Sequence, residues 1–215
     1  MNTKFTLSLV SALTIAVVSN AQINKGNTAL GGNLSFTTAT NDYSTSKQKQ
    51  SIILIAPSLM IVNRDNRAIG FNLYYSHLNV VPAGKSNTYG AGVFLRQYKP
   101  LGKDFYAFIQ EELSYSYGKG AVDSSTNYSF VNNISNDINL TINPGIAYDL
   151  SKRFQLELLF FNDLLSASYH HSKLITHYNG SDVVQKYSSF SAGANLASSE
   201  LTSLNIGAKI FFGRK

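Results

Sequence analysis

Polar and apolar residues alternate with a period of two over most of the chain, the signature of strands with one face buried. The first such stretch sets Leu30, Gly32, Leu34 and Phe36 against Gly31, Asn33, Ser35 and Thr37. A second, from Ser51 to Val62, is apolar on both faces. A third opposes Ile69, Phe71, Leu73 and Tyr75 to Gly70, Asn72, Tyr74 and Ser76, and a fourth Tyr89, Ala91, Val93 and Leu95 to Gly90, Gly92, Phe94 and Arg96. The fifth carries Ala107, Ile109, Leu113 and Tyr115 against Tyr106, Gln110, Glu112, Ser114 and Ser116. In the sixth, Ile138, Leu140, Ile142 and Ile146 face away from Asp137, Asn139, Thr141, Asn143 and Gly145. A seventh runs from Phe154 to Phe160, with Gln155 and Glu157 on its polar side, and the eighth opposes Leu204, Ile206, Ala208, Ile210 and Phe212 to Ser203, Asn205, Gly207 and Lys209.

The connections alternate in length. Asn63 to Ala68, Lys99 to Asp104 and Asp149 to Arg153 are short and hold turn formers, whereas residues 40–50, 77–88, 118–136 and 162–201 read as long polar loops. Three short turns on one side and four long loops on the other are what an eight-stranded up-and-down barrel in a membrane shows. A soluble barrel has no reason to sort its loops in this way. The expected fold is therefore all-β, an eight-stranded antiparallel up-and-down transmembrane β-barrel.

Alternation alone does not say which face is inside. Side-chain size does: the polar faces are rich in Gly, Ser, Asn and Thr, which suit the cramped interior of an eight-stranded barrel. Few of them carry the Lys and Glu that coat soluble surfaces. The apolar face is then left for acyl chains. Aromatic residues also gather toward both ends of the predicted strands. Tyr98, Phe105, Tyr106, Tyr148, Phe154, Phe211 and Phe212 lie near the short turns, while Phe36, Tyr74, Tyr75, Tyr89, Tyr115 and Tyr117 lie near the long loops. Two such belts match two lipid–water interfaces.

Composition narrows the picture. Only 14% of residues are charged, against roughly 25% in an ordinary soluble domain. The chain has no Cys, which excludes disulfides, thiolate chemistry and lipoprotein acylation. The net charge of +6 is thinly spread, and no cluster of Lys and Arg forms a nucleic-acid footprint. Residues 1–21 read as a signal peptide: Lys4 begins it, an apolar run from Phe5 to Val18 follows, and Ser19-Asn20-Ala21 ends it. The run is shorter than the ~20 residues a spanning helix needs. Residues 22–215 are then one barrel domain, exported and placed in the cell outer membrane.

The Asn20-Ala21-Gln22 processing site, the Gly31-Gly32-Asn33 strand opening, Phe105-Tyr106-Ala107-Phe108 and the closing run from Leu204 to Phe212 carry a resemblance. The chain resembles the small outer-membrane β-barrel proteins of Bacteroidota, the porin-family or outer-membrane β-barrel-domain group, and is similar in architecture to OmpA/OmpX-type barrels. The resemblance implies a wall in contact with outer-membrane lipid and insertion by the barrel-assembly machinery, which reads a terminal aromatic. Here Gly213-Arg214-Lys215 follow Phe212, a departure from the simple form of that signal.

Candidate chemistry is sparse. Arg96, Glu112, Asp137, Glu157 and Lys209 fall on polar faces, and since an unpaired buried ion is costly, they are expected to form one compensated network inside the barrel. Glu111 falls on the apolar face, which predicts either a bulge or a fifth strand displaced by one residue. His170, His171 and His177 lie close in sequence without a carboxylate or Cys at ligand spacing, so neither a metal nor any other cofactor is expected. A catalytic role is not expected either. No Gly-x-Ser-x-Gly elbow is present, and the segment from Gln22 to Leu30 is too short and polar for the leading amphipathic helix of barrel acyltransferases. The long loops carry Tyr among small polar residues, including Tyr128, Tyr169, Tyr178 and Tyr187, a composition suited to contact with other molecules. The expected function is a structural, surface-contact or complex-accessory role, with an envelope protein or external surface as partner. The alternatives are a narrow porin-like diffusion channel and a secreted ligand-binding barrel, the last disfavoured by the absence of Trp.

Overall fold

A computed structural model describes residues 23–43, 46–81, 84–124, 129–159, 164–178, 181–194 and 205–213. The leader and Tyr128 lie outside these residues. Within them every regular element is a strand: β1 (Thr28–Tyr43), β2 (Ser46–Arg64), β3 (Arg67–Val81), β4 (Gly84–Pro100), β5 (Phe105–Ser124), β6 (Ser129–Asp149), β7 (Phe154–Leu159), β8 (Leu165–Tyr178), β9 (Ser181–Ala194) and β10 (Asn205–Phe212). All pairings are antiparallel. The sheet runs β5-β4-β3-β2-β1-β10-β7-β6, and β6 pairs back onto β5, which closes a ring of eight strands.

The ring is joined at its base by the three short turns. Asn66 sits in the left-handed region at φ 58° between β2 and β3, a conformation that Asn tolerates better than most residues. Its side-chain oxygen accepts from the Ile23 amide at 3.1 Å, and its carbonyl accepts from the Tyr98 amide at 2.8 Å. The segment before β1 is thereby folded under the barrel, with the Ile23 side chain fully buried. In the third turn the Ser151 hydroxyl accepts from the Phe154 amide at 3.1 Å, a local motif that reverses the chain between β6 and β7.

The four expected loops are corrected by the structure. β1 and β2 stay in register to Tyr43 and Ser46, β3 and β4 to Val80 and Gly84, and β5 and β6 to Ser124 and Ser129. Most of residues 40–50, 77–88 and 118–136 is thus hairpin. The segment 162–201, predicted as the longest loop, contains two whole strands. β8 pairs with β6 from Phe130 to Ile142, above the stretch where β7 pairs with Gly145 to Asp149, and β9 folds back on β8. Period-two alternation fades in these segments because both faces of a hairpin raised above the membrane meet water. Nothing there forces one face to be apolar.

Polarity across the wall is inverted relative to a soluble barrel. Leu30, Leu59, Phe71, Val93, Leu113, Leu140 and Ile210 all point outward and are exposed. Inside, the upper wall is Ser, Asn, Thr and Gly, and the base is packed with Met60, Val62, Phe94, Tyr98, Tyr106, Phe108 and Phe211. Glycines admit the large rings: a Cβ on Gly145 would lie 2.7 Å from the Leu158 carbonyl oxygen and closer still to the Phe108 ring. An exposed apolar belt with every strand paired round a closed ring is the arrangement that a bilayer requires. The fold is an eight-stranded antiparallel up-and-down transmembrane barrel.

The aromatic belts are thinner than the sequence pattern suggested. Phe105 and Tyr148 lie outside the lower rim with ring centroids 4.6 Å apart, and Tyr75 and Tyr89 lie outside the upper one at 5.2 Å. Tyr98, Tyr106 and Phe211, however, point inward and are buried, and Tyr74 lies across Gly90 inside the wall. Position near a strand end did not distinguish these residues from the belt. Their parity on the strand did.

Candidate functional site: a buried charge network beneath polar hairpins

Arg96 points inward from β4, between Phe94 and Tyr98 on the same face. Its side chain is 1% exposed, and its guanidinium carbon stands 4.2 Å from the Phe108 ring centroid. The aromatic packing removes water from the cation and so raises the demand for carboxylate partners. Glu157 on β7 supplies one at 2.5 Å from Nη1, and its second oxygen accepts from Lys209 Nζ of β10 at 2.5 Å. Arg96 Nη1 also donates to the Tyr98 hydroxyl at 3.1 Å, and Nε donates to Gln110 Oε1 at 2.9 Å. Nη2 reaches that same amide oxygen.

Gln110 passes the network on. Its amide nitrogen donates to Glu112 Oε2 at 2.8 Å, and Glu112 Oε1 accepts from Asn72 Nδ2 at 2.9 Å. Two cations and two carboxylates are therefore linked through neutral groups across β3, β4, β5, β7 and β10. Such a set offsets its own desolvation only while every member is present. It fastens strands that are distant in sequence but brought together by ring closure.

Of the five interior charges read from the sequence, the structure joins Arg96, Glu157 and Lys209 directly, and Glu112 through Gln110. Asp137 stands apart. It lies on β6 opposite Ser116, two inward positions above Glu112, and accepts from the Ser116 hydroxyl at 3.4 Å. Its other oxygen pairs with His170 Nδ1. One expected network is thus two separate groups at different heights. Gln110 and Asn72 are not among the charges that the sequence marks, and Tyr98 reads there as part of the lower aromatic belt. Parity puts all three inside, but which neutral side chain bridges two charges depends on which strands become neighbours.

The contact residues are likewise redistributed. Tyr169 points outward from β8 and is exposed, whereas Tyr187 lies on the inward side of β9 yet is 62% exposed, because β9 is open on both faces. Tyr178 ends β8. The histidines are strand residues rather than loop residues: His170 faces inward, His171 faces outward with its Nδ1 2.8 Å from the Ser188 hydroxyl, and His177 pairs in register with Asp182. Among the described residues no three His, Asp or Glu side chains assemble as a metal site. The charged groups of the base are paired with one another, although Gln155 Oε1 and Asn72 Oδ1 are buried without a hydrogen bond, and the exposed polar surface is on the hairpins.

No protein-family model matches the chain, and no curated protein does. Among solved structures, the chain is similar to Neisserial surface protein A (NspA), at 13% identity and a TM-score of 0.40 over 90% of this chain and 100% of that one. It is similar to the translocator domain of the autotransporter NalP from Neisseria meningitidis, at 9% identity and a TM-score of 0.41 over 97% and 94%. It is also similar to a major outer membrane protein from Thermus thermophilus, at 12% identity and a TM-score of 0.44 over 87% and 99%.

Proposed function

We propose that the protein is a non-catalytic integral protein of the bacterial outer membrane, in which a plugged barrel holds raised hairpins out for contact with another envelope protein or an external surface. The observation that carries this reading is the β8–β9 hairpin. β9 is exposed along nearly its whole length and presents Tyr187 and Phe190 at 62% and 72% exposure. Large, stiff aromatic groups among Ser, Gly and Gln give contact area at low entropic cost. The plug argues against the diffusion-channel reading, since Arg96, Tyr106, Gln155, Glu157, Lys209 and Phe211 fill the base. The export leader and insertion by the assembly machinery complete the proposal.

Because the chain has no Cys, topology can be tested with single introduced thiols. On intact cells, Tyr187→Cys is expected to react with a membrane-impermeant maleimide, while Lys152→Cys, in a short turn, is expected to react only after lysis. Reaction of Lys152→Cys on intact cells, with Tyr187→Cys protected, refutes the orientation and the contact role together. Stepwise conductance from folded protein in a planar bilayer transfers the assignment to the channel reading.

A further inference from the structure

The outward face between the aromatic belts is apolar at nearly every described position, and Glu111 breaks it. The β4–β5 and β5–β6 registers run unbroken through this residue, with Leu95 and Ile142 opposite it, so neither a bulge nor a displaced strand turns it inward. It is exposed, and its neighbours along the face are Ile109 and Leu113. Six residues separate it from Phe105 of the lower belt and six from Tyr117 near the upper one, so the carboxylate stands at mid-depth, roughly 15 Å from either along the axis. No hydrogen bond or ion pair reaches it from a described residue. One further feature marks this sector: Gln97, on the adjoining β4, is a second polar outward residue and is also exposed, two positions from Leu95, the register partner of Glu111.

An ionisable side chain facing hydrocarbon is costly and marks a function. We propose that the β4–β6 sector is covered in the membrane by a different membrane-spanning protein that presents a Lys or Arg side chain at mid-depth to Glu111. Charge complementarity selects the occupant. A second copy related by a two-fold axis along the membrane normal keeps every residue at its own depth, and would set Glu111 against Glu111. The outward cations of the neighbouring strands, Arg67 and Lys99, stand beside the short turns, level with Gln97 and Ala107, and among the described residues no outward cation lies at the depth of Glu111 to answer it. Lipid tails supply no donor. A cation from another protein forms a charge-assisted hydrogen bond in a low-dielectric surrounding, where it is strongest. The inference needs the barrel to lie in a bilayer, but not the hairpin contact proposed above.

The test places a benzophenone side chain at Ile109, at Leu113 or, on the wall of β3, at Phe71, and irradiates native outer membranes. Ile109 and Leu113 are expected to give one adduct of defined mass that Phe71 does not give, with the crosslinked peptide of the partner carrying Lys or Arg beside the attachment point. Glu111→Leu is expected to lower its yield about tenfold, the loss of one charged hydrogen bond, and Glu111→Gln less. Equal yields at all three positions assign the face to lipid. An adduct of twice the chain mass assigns it to self-association. A yield unchanged in Glu111→Leu removes the ion pair. Each of these overturns the proposal. A heat-dependent gel shift in the same samples reports the folded barrel, so loss of the adduct is separable from loss of the fold. Thiol labelling at Tyr187→Cys reads the hairpin proposal independently.

Discussion

The lower and upper halves of this barrel solve opposite problems with the same strands. Below, inward positions carry Arg96, Tyr106, Phe108, Glu157 and Phe211, all buried and bonded or packed to one another across the ring. Above, inward positions carry Ser, Asn and Gly, and the strands run on as hairpins whose two faces both meet solvent. The base draws its order from contacts between distant strands. The hairpins draw theirs chiefly from backbone pairing, within each hairpin and to the neighbouring strand, with few buried apolar contacts, which is the weaker source. Removing a side chain below should cost the fold, whereas removing one above should cost only what the hairpin touches.

Glu157→Leu attacks that contrast most severely. It leaves Arg96 and Lys209 both buried without their shared carboxylate, and unfolding by urea in a lipid or detergent of fixed composition is expected to show a loss of about 3–5 kcal/mol. Lys209→Met should cost less, because the Arg96 pair with Glu157 survives it. Gly145→Ala comes next. The added methyl meets the Phe108 ring and the Leu158 carbonyl, and because one of these is backbone, a loss of about 1–3 kcal/mol is expected in the same assay.

Asn66→Ala is expected to cost about 1–2 kcal/mol, since it removes the acceptor of the Ile23 amide and leaves at positive φ a residue without the short polar side chain that lets Asn tolerate this region. Hydrogen exchange should show the loss at Ile23 and Gly26 before the ring itself opens. Smallest of all, Tyr187→Ala is expected to change unfolding by no more than about 0.5 kcal/mol, while reducing any contact made by the hairpin. A destabilisation by Tyr187→Ala comparable to that by Glu157→Leu would erase the distinction between the two halves.

Glu111 shows how a local rule and a global one can disagree usefully. Its parity on β5 places it outward, and hydropathy argues that it should not be there. A bulge or a shift of register would turn it inward. Continuous pairing with β4 and β6 keeps it where parity put it, and the misfit then becomes a property of the surface instead of an error in the strand.

What the sequence by itself determined was the wall. Strand existence, facing and inverted polarity all follow from a period-two pattern, because a bilayer outside and a cramped lumen inside act on each residue separately. Even the turn at Asn66 is a local fact. What only the tertiary structure decided was who meets whom. Arg96 finds Glu157 across sixty-one residues of chain, and Asp137 finds His170 instead of joining them, because ring closure and register choose the neighbours of an inward side chain. The β8–β9 hairpin was hidden for a related reason: above the membrane neither face is required to be apolar, so a strand leaves no periodic trace there, and only its pairing with β6 reveals it.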